Sequence, residues 1–291
     1  MGKVTPFRTV IALVALFLSM AAPAMSASSD VESSPAIEVA LITAENRIAP
    51  GATSVSAGLD MSLSEGWKTY WRSPGEVGLP PELDFTGSVN VTEIEILWPA
   101  PERFTAFGIQ NFGYSGEVVL PIRIRLERPG EAAQLRAAAD ILVCSDVCVP
   151  SSFGFALDLP AGGTGTLDAI DQVSAARIAT YAARVPLEGP TEEISDIAAF
   201  VDAEARTLTL TARGTHSFET PDVFPEMGGF TAFGEPDIRL AGDGRELWAQ
   251  FPILTLDPEA TVPVITLTDG DLARTITARP LDASPPAPFA L

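Results

Sequence analysis

The sequence predicts an all-β chain folded as a β-sandwich. Two observations indicate this class, and a third sets the number of domains. Apolar and polar residues alternate with period two in residues 37–42 and 53–63, as expected for strands with one buried face. Short segments of this kind are separated by turn-forming residues, among the 23 glycines and 25 prolines of the chain. The chain has 291 residues, 46% of them hydrophobic, which is enough for one large or two ordinary domains.

The predicted strands fall into two groups on either side of a helical segment. The Ala-rich residues 167–184 carry Ile170, Val173, Ile178 and Tyr181 at helical spacing. Many short strands bounded by turns are typical of sandwiches. The first group is expected at residues 37–42, 53–63, 91–97, 117–126, 134–144 and 153–159, and the second at 199–212, 237–240, 246–256, 262–267 and 272–278.

These groups define the predicted domain organisation. A signal peptide is expected over residues 1–27, a first β-sandwich with both cysteines over 28–162, a connector over 163–190, a second β-sandwich over 191–283 and a tail over 284–291. The connector begins in a glycine-rich stretch and includes the whole of the predicted helix.

The first residues have the features of an export signal. Lys3 and Arg8 form a basic region, residues 10–20 are apolar, and residues 22–27 supply small side chains for cleavage. An uncleaved N-terminal anchor is the alternative, although the apolar run is short for a bilayer span. We therefore expect a soluble, exported mature chain.

The chain is strongly acidic. Its 18 Lys and Arg residues against 38 Asp and Glu residues give a formal charge of -20 at pH 7. A field of this sign repels nucleic acids and anionic lipids. Both are therefore poor candidates as partners.

Cys144 and Cys148 are the only two cysteines in the sequence, and three residues separate them. A bridge between them would close a ring of about five residues, which stabilises a fold by only roughly 2 kcal/mol in the loop-entropy model. An exported chain lives where disulfides form and persist. A disulfide that stabilises the fold so little is better suited to reversible formation and reduction in a redox cycle. The alternative is a permanent structural disulfide within the hairpin.

Four motifs surround this pair. The run GWKTYWRSPGEVGLP occupies residues 66–80, LWPAPERF occupies 97–104, GYSGE occupies 113–117, and the cysteines form a C-x-x-x-C-x-P element that ends at Pro150. In this order they resemble the N-terminal periplasmic domain of the thiol:disulfide interchange protein DsbD, and within that family the ScsB-like branch linked to suppression of copper sensitivity. The resemblance is specific over residues 36–160 and vaguer over 195–280.

The resemblance implies an immunoglobulin-like sandwich with the cysteine pair near one edge. It implies a periplasmic protein-disulfide reductase component that needs no cofactor. Its partners would be a membrane-embedded thiol reductant (DsbD- or CcdA-like) and thioredoxin-like periplasmic proteins, in cytochrome c maturation or copper tolerance. Full-length relatives continue into a membrane domain and a thioredoxin-like domain, so we expect the electrons to come from a separate protein.

The resemblance also assigns the site residues. Cys144 and Cys148 match the redox pair, which is joined as a disulfide, and Tyr70 matches a tyrosine beside it. Phe104, and with it Trp98, falls where the family has a loop aromatic that caps the disulfide until a partner docks.

The local sequence around the cysteines is acidic. Asp140 and Asp146 lie near the pair, and no Lys, Arg or His occurs from residue 137 to 176. Such surroundings disfavour a thiolate, so spontaneous exchange is expected to be slow.

Other chemistries have weaker support. His216 is the only histidine, which leaves little basis for a Ser-His-Asp or Cys-His arrangement and favours a surface or loop position for it. A zinc site would lack its usual ligands. Copper(I) held by the cysteines with Met61 or Met227 is conceivable, because soft ligands suit this ion. The competing function is a non-enzymatic exported β-sandwich binding protein with a structural disulfide.

Overall fold

The computed structural model describes residues 27–106, 109–163, 169–228, 230–241 and 243–288, and within these ranges it contains 21 strands and one helix. The all-β class is confirmed. Apart from Ala27, the predicted signal peptide lies outside the described residues, as do the first part of the predicted helix and the end of the tail.

The first eleven strands form two sheets packed face to face. They are β1 (Glu32–Ser33), β2 (Ile37–Thr43), β3 (Ser54–Leu63), β4 (Lys68–Gly75), β5 (Glu82–Asp84), β6 (Glu93–Ile96), β7 (Glu102–Ala106), β8 (Ile109–Ser115), β9 (Glu117–Arg125), β10 (Ala133–Cys144) and β11 (Cys148–Leu159). One sheet has the order β1-β2-β3-β9-β6 and the other β11-β10-β4-β8-β7, with β5 paired to β10.

The core of this first sandwich follows from the alternation of its long strands. Leu135, Ala139 and Val143 of β10 face inward and are fully buried, as are Leu59 of β3 and Leu120 of β9. Full burial of a side chain the size of valine or leucine contributes about 1.5–3 kcal/mol. The same alternation places every second residue of β10 on the opposite face.

Helix α1 (Gln172–Ala182) lies against the first sandwich. Asp171 caps its N-terminus by accepting a hydrogen bond from the Ser174 backbone N–H, and Arg177 pairs with Asp60 and Glu117. The expected periodicity is only partly correct. Ile178 packs against the outer face of the sheet, whereas Ile170 and Val173 are exposed.

The remaining strands build a second sandwich. They are β12 (Leu187–Glu188), β13 (Ile194–Asp202), β14 (Thr207–Gly214), β15 (Asp222–Glu226), β16 (Ala232–Phe233), β17 (Asp237–Ala241), β18 (Glu246–Thr255), β19 (Val264–Asp269), β20 (Leu272–Thr277) and β21 (Arg279–Pro280). The sheet orders are β12-β20-β19-β15 and β16-β18-β14-β13-β21, with β17 paired to β18.

The predicted segment 199–212 is a hairpin. Strands β13 and β14 pair in antiparallel register, and the Asp202 carboxylate accepts hydrogen bonds from the backbone N–H groups of Glu204 and Ala205 in the turn. The sequence signal for this turn is therefore an Asx turn without glycine.

One strand joins the two sandwiches. Phe224 of β15 belongs to the hydrophobic core of the first sandwich, although its neighbour Val223 lies in the core of the second. The predicted domain boundaries near residues 162 and 190 stay a prediction. In the described part of the chain, no helix has the length and apolarity needed to cross a bilayer.

Candidate functional site

The cysteines close the hairpin formed by the two longest strands of the first sandwich. Strand β10 ends at Cys144, β11 begins at Cys148, and the two residues stand directly opposite each other in the register. The Ser145 backbone N–H donates to the Val147 carbonyl at 2.9 Å, which tightens the three-residue turn. The sulfurs are bonded, with Cα atoms 4.1 Å apart.

The two halves of this disulfide differ in exposure. Cys144 is 3% exposed and packed into the sandwich, whereas Cys148 is exposed and followed by exposed Val149 and Pro150. A thiolate must reach a sulfur from the side opposite its leaving group, so access decides which sulfur reacts. The Cys148 side is the one that faces solvent.

Tyr70 contacts the buried half of the bond. Its hydroxyl donates a hydrogen bond to Cys144 Sγ at 3.1 Å and lies 4.0 Å from Cys148 Sγ. The side chain is 1% exposed, and burial raises the pKa of its phenol. Tyr70 therefore remains a protonated donor at neutral pH.

Strand pairing and a glycine set the position of Tyr70. Strand β4 meets β10 at the pair Lys68 and Cys144, and the Thr69 hydroxyl donates to the Leu142 carbonyl at 3.1 Å. Gly78, with φ +115°, lies against the ring, and a Cβ there would be 2.3 Å from Tyr70 Cε1. Only glycine lets the loop after β4 pack on the tyrosine in this way.

Phe104 packs against the ring of Tyr70. It is half-buried on the edge strand β7, and the two ring centroids are 6.1 Å apart. The Lys68 Nζ stands 5.5 Å from the centroid of the Phe104 ring, in a cation–π arrangement. Phe104 thus contacts Tyr70, which bonds Cys144 Sγ, and Lys68, which pairs with Cys144 in the register of β4 and β10.

Trp98 has a different environment. It is half-buried and packs against the hydrophobic core of the first sandwich. Its predicted part in shielding the disulfide stays a prediction, as does the capping role of Phe104.

The charge around the disulfide is not purely acidic, which corrects the expectation from the local sequence. Asp146 is exposed in the turn, and Asp140 accepts a hydrogen bond from the Ser152 hydroxyl across the hairpin. Lys68 supplies a cation from another strand. Its position beside the cysteines follows from strand register, because Lys68 stands opposite Cys144 where β4 pairs with β10.

The alternative chemistries do not gain support from the structure. His216 is exposed in the loop between β14 and β15, as expected. Met61 and Met227 are buried in the cores of different sandwiches. Within the described ranges, no three His, Cys, Asp or Glu side chains cluster as a metal site.

Comparisons with known proteins identify similar sequences and a similar fold. Residues 38–158 match the family model of the thiol:disulfide interchange protein DsbD, N-terminal, and residues 184–283 match a domain of unknown function. No curated protein matches the chain in sequence.

One solved structure is similar over both sandwiches. The crystal structure of the N-terminal periplasmic domain of ScsB from Proteus mirabilis aligns with a TM-score of 0.71 and 24% identity, covering 87% of this chain and 99% of that one. The predicted immunoglobulin-like class is confirmed by these matches. Residues 38–158 therefore form a DsbD N-terminal-like domain, in a chain with the fold of the ScsB N-terminal periplasmic domain.

Proposed function

We propose that the chain is a periplasmic thiol–disulfide exchange module. In this proposal Cys144 and Cys148 relay electrons from a membrane-embedded thiol reductant to thioredoxin-like periplasmic proteins, serving copper tolerance or cytochrome c maturation. One observation carries it: the disulfide exposes Cys148, while the buried Cys144 sulfur accepts a hydrogen bond from Tyr70. The match of residues 38–158 to the DsbD N-terminal family supports the same chemistry.

The geometry suits a two-step reduction. A thiolate of the donor protein attacks Cys148 Sγ, a mixed disulfide forms, and the bond to Cys144 breaks with its electron pair on Cys144 Sγ. The Tyr70 hydroxyl stabilises that leaving thiolate by its hydrogen bond. The second donor thiol then attacks the mixed disulfide, which releases an oxidised donor and a reduced pair that carries two electrons and, after proton uptake, two protons.

Delivery reverses these steps with a different partner. The Cys148 thiolate attacks the disulfide of a thioredoxin-like client and forms a mixed disulfide. Cys144 then attacks Cys148 Sγ, which restores the bond in this chain and leaves the client as a dithiol. Burial of Cys144 and exposure of Cys148 support an entry role for Cys148 and a resolving role for Cys144.

A redox titration tests the proposal. The purified chain is equilibrated in graded glutathione or dithiothreitol buffers, and its free thiols are counted. We expect a reduction potential above about -300 mV, because structural bridges in secreted proteins lie below that value. A lower potential, together with failure to exchange with any thioredoxin-like protein, would leave the non-enzymatic sandwich with an inert bridge.

Replacing Tyr70 with phenylalanine is expected to slow reduction of the disulfide by a protein dithiol roughly fivefold. Loss of one hydrogen bond to the leaving sulfur removes about 1 kcal/mol of transition-state stabilisation. Because burial raises the Tyr70 pKa above its usual value near 10, the phenol keeps its proton and the ratio of the two rates should stay constant from about pH 6 to about pH 9.

Tyr181→Phe is the matched control for this prediction. Its hydroxyl donates to the Glu117 carbonyl at 2.6 Å on the other sheet of the first sandwich. We expect the control rate to equal that of the unmodified chain. Equal rates for Tyr70→Phe and Tyr181→Phe would contradict the role of Tyr70.

A further inference from the structure

Strand β15 of the second sandwich presents alternate residues to the first. Val223 packs into the core of the second sandwich, while Asp222, Phe224 and Glu226 contact residues of the first. Since successive side chains of a strand point to opposite faces, one short strand serves two cores. In the sequence DVFPE of β15, the residues that face the first sandwich are the Asp, the Phe and the Glu, which stand at every second position.

Phe224 is the apolar centre of this contact. It is 1% exposed, and its ring meets Phe112 edge-on with centroids 5.0 Å apart and Trp71 with centroids 6.0 Å apart. The Arg103 guanidinium lies 4.9 Å from the Phe112 centroid and 5.3 Å from the Phe224 centroid. The ring is thus held by two aromatic side chains and one cation.

Two arginines flank this centre with paired hydrogen bonds. Arg103 donates from Nε and Nη2 to the Asp222 carboxylate, and its Nη2 reaches the Val223 carbonyl at 2.7 Å. Arg72 donates in the same way to Glu226, with an Nη2 to Oε1 distance of 2.8 Å. Planar guanidinium groups paired with carboxylates at two points fix orientation as well as distance.

Both arginines belong to strands that carry site residues. Arg103 immediately precedes Phe104 on β7, and Arg72 follows Tyr70 by two residues on β4. Strand β7 is at the edge of its sheet and has only β8 beside it in the sheet order, so one side of it depends on other contacts. The Arg103 pair with Asp222 supplies such a contact one residue from Phe104.

We infer that β15 is a positioning clamp for Phe104, so that the second sandwich controls access to the disulfide of the first. The inference rests on the proposed function and adds regulation to it. Asp222, Phe224 and Glu226 hold Arg103 and Arg72, and these hold the backbone on which Phe104 covers Tyr70. Release of the clamp uncovers Tyr70 and the buried Cys144 sulfur, without a change in any residue that contacts that sulfur.

The test measures how fast dithiothreitol reduces the disulfide in the full chain. Asp222→Asn and Phe224→Ala are each expected to accelerate reduction roughly three- to tenfold, because dithiothreitol then reaches the buried Cys144 sulfur as well as the exposed Cys148 sulfur. Asp222→Glu keeps the carboxylate and should restore most of the slow rate. Asp196→Asn, which breaks the exposed pair of Asp196 with Arg279 in the same sandwich, is the matched control and should change nothing.

A double variant separates positioning from a general loss of structure. When Phe104 is already alanine, Asp222→Asn should give no further acceleration, because the clamp acts only through that ring. The inference would be overturned if the rate increase in the double variant equalled the product of the two single-variant increases. It would also be overturned if Asp222→Asn and Phe224→Ala both left the rate unchanged. The rate of reduction by dithiothreitol can be measured whether or not the disulfide exchanges with other proteins. A potential typical of a structural bridge, together with failure to exchange, would therefore refute the proposed function and leave the clamp result intact.

Discussion

Cys144→Ala is expected to trap a mixed disulfide with thioredoxin-like proteins, whereas Cys148→Ala should trap roughly tenfold less. Cys148 is exposed and can attack a client disulfide, and without Cys144 the intermediate has no resolving thiol within the chain. Cys144 is 3% exposed and lies under Tyr70, which blocks the reciprocal reaction. The measurement is non-reducing electrophoresis after incubation with an oxidised thioredoxin-like protein and alkylation of free thiols.

The variant without either cysteine is the control for this experiment and should form no adduct. Equal trapping by the two single variants would contradict the assignment of Cys148 as the entry sulfur, while leaving exchange itself established. Absence of adducts in both would count against the relay.

Phe104→Ala is expected to accelerate reduction of the oxidised protein by dithiothreitol about tenfold or more, because a small thiol then reaches the buried Cys144 sulfur as well as the exposed Cys148 sulfur. The ring packs against Tyr70, whose hydroxyl bonds Cys144 Sγ, and against Lys68, which stands opposite Cys144 in the strand register. The rate is followed by counting thiols over time at fixed pH.

Phe85→Ala is the matched control for this substitution. Phe85 is also half-buried against the first core, but it follows β5, which pairs with β10 only between Ala138 and Asp140. We expect its rate to stay at the level of the unmodified chain. A Phe104→Ala rate equal to that of this control would remove the capping role and leave the redox role standing.

The hairpin that carries the cysteines shows how far the sequence alone reaches. Alternation over residues 134–144 predicts β10 almost completely, because one of its faces is buried. Strand β11 begins at Cys148 and not at the predicted residue 153. Pro150 argues against a strand, but β11 is the edge of its sheet, where a missing N–H is tolerated.

Strands β4 and β15 were not predicted, for a common physical reason. Thr69, Tyr70 and Trp71 are buried consecutively in β4, and the three central residues of β15 are buried as well. The alternation of apolar and polar residues disappears from the sequence of a strand when both of its faces are covered. The side chains that these two strands bury include Tyr70, which contacts Cys144, and Phe224, which contacts Phe112.

The site residues divide in the same way. The motif resemblance identified the cysteines, Tyr70 and Phe104, and the structure places Tyr70 in contact with Cys144 and beside Phe104. Lys68 required knowledge of strand register. The partners of Arg72 and Arg103 lie more than a hundred positions away, and no local pattern encodes such a pair.

Phe224 has a consequence for how the molecule unfolds. Its ring fills the core of the first sandwich although its strand belongs to the sheet of the second. Melting of the second sandwich would withdraw that ring and leave the faces of Trp71 and Phe112 without their partner. The two sandwiches are therefore thermodynamically coupled, and the stability of each depends on the other being folded.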